Sequence, residues 1–386
     1  MSTCRDLRLY IQLLNALGMM CCQLDEGPCL VTATPRCERY ALSYTMGVIA
    51  TSMACFTYAH MEPQRFYMLI YNRTGNFYET VNFRCTCLVL ILLYVCLYFR
   101  RRRHVSLVQI LLTLNRECLS SGLDRRFLNN LILYGVLLLL CFGNYLNGYC
   151  HAGMSTSALT IYVLVNTYAF VVLCLLLIFF VCLKQIMAGG LLHYNQQMML
   201  GFARPKYIRA LRERQKLLAL CAGELNECFG LLMLPIVALV LLKMPSGPFY
   251  LISTVMEGQY GDSVKFTVMF LTASFWDVPW LVIMILMLRT NGITLEANKT
   301  AKILSKIPRT GTGLDRMVEK FLLKNLRQQP ILTAYGFFAL DKSTLFNLFT
   351  AIFTYMVILV QFKEMENSTK AIQRGTAAGQ QNFTQQ

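Results

Sequence analysis

The sequence predicts an all-α membrane protein of seven transmembrane helices, with its amino terminus cytoplasmic and its carboxyl terminus extracellular. Three observations carry this: an apolar composition, seven long apolar runs, and Lys and Arg gathered between alternate runs. Of 386 residues, 56% are hydrophobic and only 15% charged, with a mean hydropathy of +0.47. Soluble domains sit nearer about 45–50% apolar and about 25% charged.

A helix needs about 20 mostly apolar residues to cross the hydrocarbon core. Seven stretches qualify: 40–59, 80–99, 127–147, 157–183, 218–242, 264–288 and 343–362. The first is diluted by Ser, Thr and Ala. The second, fourth and sixth are the most apolar, running "CLVLILLYVCLYF", "VLVNTYAFVVLCLLLIFFVCL" and "FTVMFLTASFWDVPWLVIMILML". Residues 9–24, "LYIQLLNALGMMCCQL", are short for a span, contain Gln12 and Asn15, and show no clear small-residue cleavage site. A cytoplasmic or interfacial helix within an amino-terminal segment 1–39 is expected there.

The formal charge of +16 resembles a nucleic-acid signal until the charges are located. "RRRR" (Arg100 to Arg103) follows the second run, a basic series from Lys184 to Lys216 follows the fourth, and another from Arg289 to Lys342 follows the sixth. The connections near 148–156 and 244–263 contain no Lys or Arg. Positive residues remain cytoplasmic, so the partner they imply is the lipid bilayer and no nucleic acid. The order is then a bundle of six helices over 40–288, a cytoplasmic loop over 289–342, a last helix over 343–362 and an extracellular tail over 363–386. The sequons at Asn72, Asn367 and Asn382 fall outside, as glycosylation requires, while Asn298-Lys299-Thr300 falls on the cytoplasmic side and would be silent. G-protein-coupled receptors have the opposite orientation, and "DRR" at 124–126 precedes the third run instead of following it.

The 16 cysteines are mostly single residues inside apolar runs, where a thiol behaves as a small hydrophobe. The four histidines (His60, His104, His151 and His193) are scattered. With no zinc-type pair, phosphate loop or nucleophile elbow, neither enzyme chemistry, a metal nor a cofactor is expected.

The last run carries the most specific pattern. At about 100° per residue, Ser343, Asn347, Thr350, Thr354 and Gln361 fall within roughly 40° of one line some 27 Å long. Phe346, Phe349 and Phe353 form an adjoining stripe, and Val357 and Ile358 flank the polar line. Polar side chains facing acyl chains are costly. Two readings follow. The row bonds to neighbouring helices, at about 0.6 kcal/mol per contact, or it lines a water-filled pore. In the pore, Val357 and Ile358 form a hydrophobic constriction that gates by dewetting.

The block "TYMVILVQF" (354–362) resembles the Thr-Tyr, five hydrophobics, Gln-Phe signature of the insect gustatory receptors: Thr354, Tyr355, Gln361 and Phe362 stand at its fixed positions. The preceding "AYGFFALDKSTLFNLFTAIF" (334–353) is similar to that family's approach to its last helix. The resemblance implies an insect chemoreceptor-type channel subunit: a tastant-gated, non-selective cation channel of the sensory-neuron plasma membrane. It implies a homo- or heterotetramer with other gustatory receptor subunits around the last helix. Gln361 and Phe362 would close the outer gate, and residues of about 310–330 would form an anchor between subunits. Glu364 lies just past the gate, where four copies would make an acidic ring. Lys363 beside it counts against the ring.

In the sixth run, Asp277 lies between Trp276 and Trp280, and Pro279 removes a backbone donor. An ionisable group at that depth marks a functional site, and aromatic faces beside a carboxylate suit a cationic or hydrogen-bonding organic ligand. A structural carboxylate bonded to a neighbouring helix fits equally. Asn144, Tyr145, Tyr162, Asn166 and Tyr168 would complete an outward-opening pocket. The rival from another class is a multi-pass transporter or membrane scaffold whose polar row is buried inside one subunit, although no internal repeat is visible.

Overall fold

The computed structural model describes residues 2–24, 31–32, 34–67, 73–117, 132–139, 142, 155–201, 205–256, 263–288, 296, 299, 302–303, 332–340 and 342–383. Nearly all of these are helical. Helix α1 spans Ser2–Ala16. A two-residue antiparallel pair follows, β1 (Gln23–Leu24) with β2 (Val31–Thr32). The long helices are α2 (Pro35–Met61), α3 (Arg73–Glu117), α4 (Thr156–Gly201) and α5 (Pro205–Lys243). A short α6 (Ser246–Met256) leads to α7 (Ser263–Leu288) and α8 (Lys342–Phe383).

These helices contain the predicted first, second, fourth, fifth, sixth and seventh runs. Of the third, only 132–139 and 142 are described. Apolar length makes the helices, and local chemistry sets their ends. Pro35 at the first position of α2 has its torsion preset for a helix and no N–H to leave unbonded. Pro245 follows the end of α5, where no helix needs its missing donor.

Helix α4 is the centre of the bundle: 83% of its most apolar window is buried, and Phe170, Leu173, Leu177, Phe180 and Leu183 are enclosed. Helices α3, α5 and α7 surround it, and α2 lies against α3. Residues 10–22 fold into this core. At 15 residues, α1 is about 22 Å long, well under the core thickness. Tyr10, Ile11 and Leu14 are buried. Asn15 closes the following turn by donating to the Cys22 carbonyl at 2.6 Å and accepting from the Cys22 N–H at 3.3 Å. Gly18 sits at φ +64, where a Cβ would meet the Tyr44 ring at 2.8 Å. The polar Asn15, unsuited to lipid, is therefore the residue that folds this segment back. The eleven cysteines whose side chains are described are free thiols, and burial pushes the Cys22 thiol up to about 12.

The two ends of the bundle differ. At one end Arg103 pairs with Glu227 at 3.0 Å and Arg101 with Glu38 at 3.7 Å. The opposite end carries Arg73, Lys243 and the outgoing part of α8. Helix α8 is 42 residues long, about twice what a bilayer needs. Hydropathy marks where lipid stops, which is not where the helix stops. Beyond Phe362 the chain has good helix formers and a Glu366–Lys370 pair one turn apart at 2.5 Å, so it continues as helix to Phe383. The anchor expected at 310–330 lies outside the described residues.

Candidate functional site

Helix α8 lies on the rim of the bundle. Only 6% of its most apolar window is buried, against 83% for α4. One narrow face holds it: Ile352, Leu359 and Lys363 are buried, and Tyr355 is half-buried. Leu359 packs with Tyr78 of α3 and Phe249 of α6, and the Tyr355 ring lies 6.1 Å from that of Tyr78. The Tyr of the "TYMVILVQF" block is thus turned toward its own subunit.

The polar row is on the other side. Ser343, Asn347, Thr350, Thr354 and Gln361 are all exposed, as are Val357, Ile358 and Phe362. The row is therefore not enclosed among helices of one subunit, which was the premise of the transporter or scaffold reading. The phenylalanine stripe is exposed as well, Phe346 at 73% and Phe353 at 62%. The hydroxyls of Thr350 and Thr354 donate to the carbonyls of Phe346 and Thr350 at 3.1 and 2.9 Å, so these threonines satisfy their own donors. Asn347 and Gln361 have no such solution. Their amides make no hydrogen bond among the described residues, and they set the polarity of this face.

The apolar span of α8 is tied down at both of its ends. Near its start, residues 332–340 form a tight turn, with Ala334 N–H donating to the Phe338 carbonyl at 2.9 Å and Leu340 N–H to that of Leu332 at 3.0 Å. The turn docks on α5: Asn226 Oδ1 accepts from the Thr333 N–H at 2.9 Å and its hydroxyl at 3.2 Å. The Arg100 guanidinium lies 5.6 Å from the Tyr335 ring centroid. Tyr335 takes φ 51 and Gly336 φ 81, torsions that a non-glycine residue holds only when its surroundings impose them. At the far end, Glu366 accepts from the N–H groups of Arg73 and Thr74 at 3.1 and 2.9 Å, and from the Thr74 hydroxyl at 2.7 Å. These are first-turn donors of α3, which have no partner within their own helix, and the helix dipole favours a carboxylate there. Lys370 and Lys363 flank it at 2.5 and 3.9 Å.

The predicted ligand residues are placed unequally. Asn144 and Tyr145 lie outside the described residues, as does the side chain of Trp276. Trp280 is buried, edge-on to Phe170 at 5.5 Å. The Asp277 carboxylate accepts from the Gly247 N–H in the first turn of α6, and its Oδ1 is buried with no hydrogen-bond partner among the described residues. A Cβ on Gly247 would meet Asp277 Oδ2 at 2.5 Å, so the glycine admits the acid. Asp277→Ala is expected to lower the thermal stability of the purified protein by about 0.5–2 kcal/mol, the usual worth of a helix cap. Unchanged melting would exclude the capping role.

Asn166 and Tyr162 belong to a buried polar chain. Lys243 Nζ donates to Asn166 Oδ1 at 2.8 Å, Asn166 Nδ2 to the Tyr162 carbonyl at 2.9 Å, and the Tyr162 hydroxyl to Glu79 at 3.0 Å. Tyr168 instead joins a tyrosine cluster with Tyr94 and Tyr44. Lys243, Glu79, Tyr78 and Asn82 were not anticipated. Asn82 is fully buried in α3, and its side chain meets that of Tyr78. It lies one turn from Tyr78, which is within electrostatic range of Asp277, Glu79 and Tyr355. The available signal was polarity near the ends of apolar runs, Asn82 in the second and Lys243 after the fifth. Among the expected glycosylation sites, Asn72 is outside the described residues, as is the Asn382 side chain. Asn367 is half-buried on α8.

A family profile described as "7tm Chemosensory receptor" matches residues 7–366. The chain is 62% identical over 371 residues to gustatory and pheromone receptor 39a, isoform A, of Drosophila melanogaster, covering 96% of this chain and 99% of that one. Among solved structures it is similar to the insect olfactory receptor OR5 from Machilis hrabei. The TM-score is 0.67 at 10% identity, covering 92% of this chain and 97% of that one. The same receptor in complex with eugenol gives a TM-score of 0.61 at 11% identity, over 92% and 98% of the two chains. At such identities the likeness concerns the fold. With a family profile over nearly the whole chain and a relative of this identity, the chain belongs to the seven-transmembrane chemosensory receptor family, which is a family of receptors and not of enzymes.

Proposed function

We propose that this protein is a subunit of a ligand-gated, non-selective cation channel, four subunits placing their α8 helices around one axis. The single observation behind it is the polar row of α8: it is exposed on the subunit while the opposite face is anchored. Lipid is a poor partner for the Asn347 and Gln361 amides, and water along a shared axis is a good one. The basic end carrying Arg100–Arg103 is cytoplasmic, so Gln361 and Phe362 close the outer mouth, with Val357 and Ile358 as the constriction beneath. Glu364 is exposed while Lys363 is buried against its own subunit. The lysine therefore does not cancel the acidic ring that attracts cations.

Small organic molecules are the ligands, tastants or pheromones in keeping with the name of the Drosophila relative. They enter from the outside, and a small-molecule ligand is in keeping with the structural neighbour, whose structure is known in complex with eugenol. Asp277 Oδ1 offers a buried polar atom with no hydrogen-bond partner among the described residues, and the buried Asn82–Tyr78 pair lies nearby. Tyr78 connects that region to Tyr355 on the pore helix. A ligand that favours the open arrangement over the closed one shifts the population between them. The channel works in the plasma membrane of sensory neurons, alone or with other receptor subunits, and informs acceptance or avoidance.

Cysteine accessibility tests this reading. During ligand-evoked current in expressing cells, Thr354→Cys should be modified by a charged thiol reagent, which reduces the current. Phe349→Cys, on the adjoining stripe, should be modified at least about tenfold more slowly, because a thiolate forms poorly away from water. Equal rates at the two positions would reject the assigned face.

A further inference from the structure

Beyond the gate, α8 runs another 21 residues as helix, from Phe362 to Phe383, roughly 32 Å. This length lies past the apolar span, in water. It nevertheless exposes large apolar side chains: Phe362 at 55%, Met365 at 65% and Ile372 at 70%, with Thr369 exposed between them. Their spacing is three, four and three, the seam of a coiled coil. The sequence carries the same alternation onward through Thr376, Gly379 and Phe383. A helix standing in water with such an apolar seam exposed presents a docking surface.

Two further facts fix which way the seam faces. An adjoining face of the extension, roughly 110° from the seam on the helical wheel, is held to its own subunit, since Lys363 is fully buried and Glu366 caps the first turn of α3. On the helical wheel the seam lies within roughly 50° of the polar row of Ser343, Asn347, Thr350, Thr354 and Gln361. Whatever axis the polar row faces, the seam faces it too.

We propose that residues 362–383 of neighbouring copies pack together through Phe362, Met365, Thr369 and Ile372, forming a helical collar over the outer mouth. This rests on the reading of α8 as the pore helix. Phe362 belongs to both gate and collar, so separating the collar helices and widening the mouth are one movement. Ions then leave between the helices, past the exposed Glu364.

Single cysteines in the full-length channel test the collar. Met365→Cys and Ile372→Cys should each give disulfide-linked dimers on mild oxidation of membranes, reversed by reductant and absent from wild type. Ala371→Cys, exposed but off the seam, should not. All three are surface positions, so folding is not at stake, and surface expression verifies this. Linking of all three alike, or of none, overturns the collar. The Thr354→Cys experiment separates the two readings: if Thr354→Cys is modified through the open pore while none of the three links, the collar falls and the pore stands. If Thr354→Cys is also untouched, both fall.

Discussion

Glu366→Ala is expected to raise resting current about tenfold, or to lower by a similar factor the ligand concentration needed for half-maximal current. Glu366 is the main polar tie between the outer part of α8 and α3. It accepts from two backbone N–H groups and one hydroxyl of α3 while Lys370 neutralises it. Hydrogen bonds to a charged group are worth about 1.5–3 kcal/mol net. The surface setting trims this, because water reaches the freed α3 donors. Losing one such bond from the closed state alone is still about tenfold in the equilibrium, since each 1.4 kcal/mol is a factor of about ten. The effect depends on the clasp being weaker in the open state, as an α8 that moves while α3 stays would require. Glu366→Gln keeps an oxygen for the α3 donors but loses the ion pair, so its shift should be smaller and of the same sign. Wild-type resting current and ligand response in both variants would show that the clasp does not distinguish the two states.

Gly230→Val should have the largest effect on folding. Glycine inside a helix costs about 1 kcal/mol relative to alanine, so a glycine in the middle of α5 needs a compensating reason. A Cβ there would lie 2.8 Å from the Tyr335 backbone nitrogen and 3.1 Å from the Thr333 carbonyl oxygen. These are backbone atoms of a turn held at both ends, and no side-chain rotation relieves the contact. Alanine should cost about 1–3 kcal/mol by overpacking, a loss the better helix propensity offsets only in part. Valine adds β-branching and should displace the turn from α5, breaking the Asn226–Thr333 bonds as well. The expected readout is loss of monodisperse, surface-expressed protein for valine, with reduced melting temperature for alanine. Gly223→Ala, on the same helix where an added Cβ would meet nothing within 4 Å, should be neutral or stabilising. Wild-type melting of Gly230→Val would mean that the turn does not dock as described.

Much of this protein is legible because lipid is an undemanding reader of sequence. A solvent that cannot hydrogen-bond forces the backbone into helices, so apolar run length sufficed for the helical class and for most of the helices. Gln12, Asn15 and the short run argue against a crossing at residues 9–24 for the same reason, and residues 10–22 pack into the core. The helical extension beyond Phe362 was not, because hydropathy ends with the lipid while helix propensity and the Glu366–Lys370 pair do not. Asp277 was visible as an unusual group, but its partner Gly247 was not, because glycine advertises nothing about what approaches it. Asn82 and Lys243 were passed over since single polar residues near helix ends are common, and only packing distinguishes a buried one.

By itself the sequence determined that the chain is a helical membrane protein, that its last helix has one polar face, and that the "TYMVILVQF" block aligns it with a receptor family. Each of those follows from periodicity or from residues at fixed spacing along one stretch of chain. Only the tertiary structure decided that the polar face of α8 is left uncovered by its own subunit, that Tyr355 points inward, and that Glu366 ties the helix to α3. These are relations between residues as far as 293 positions apart, and no local pattern encodes which of several amphipathic surfaces will meet.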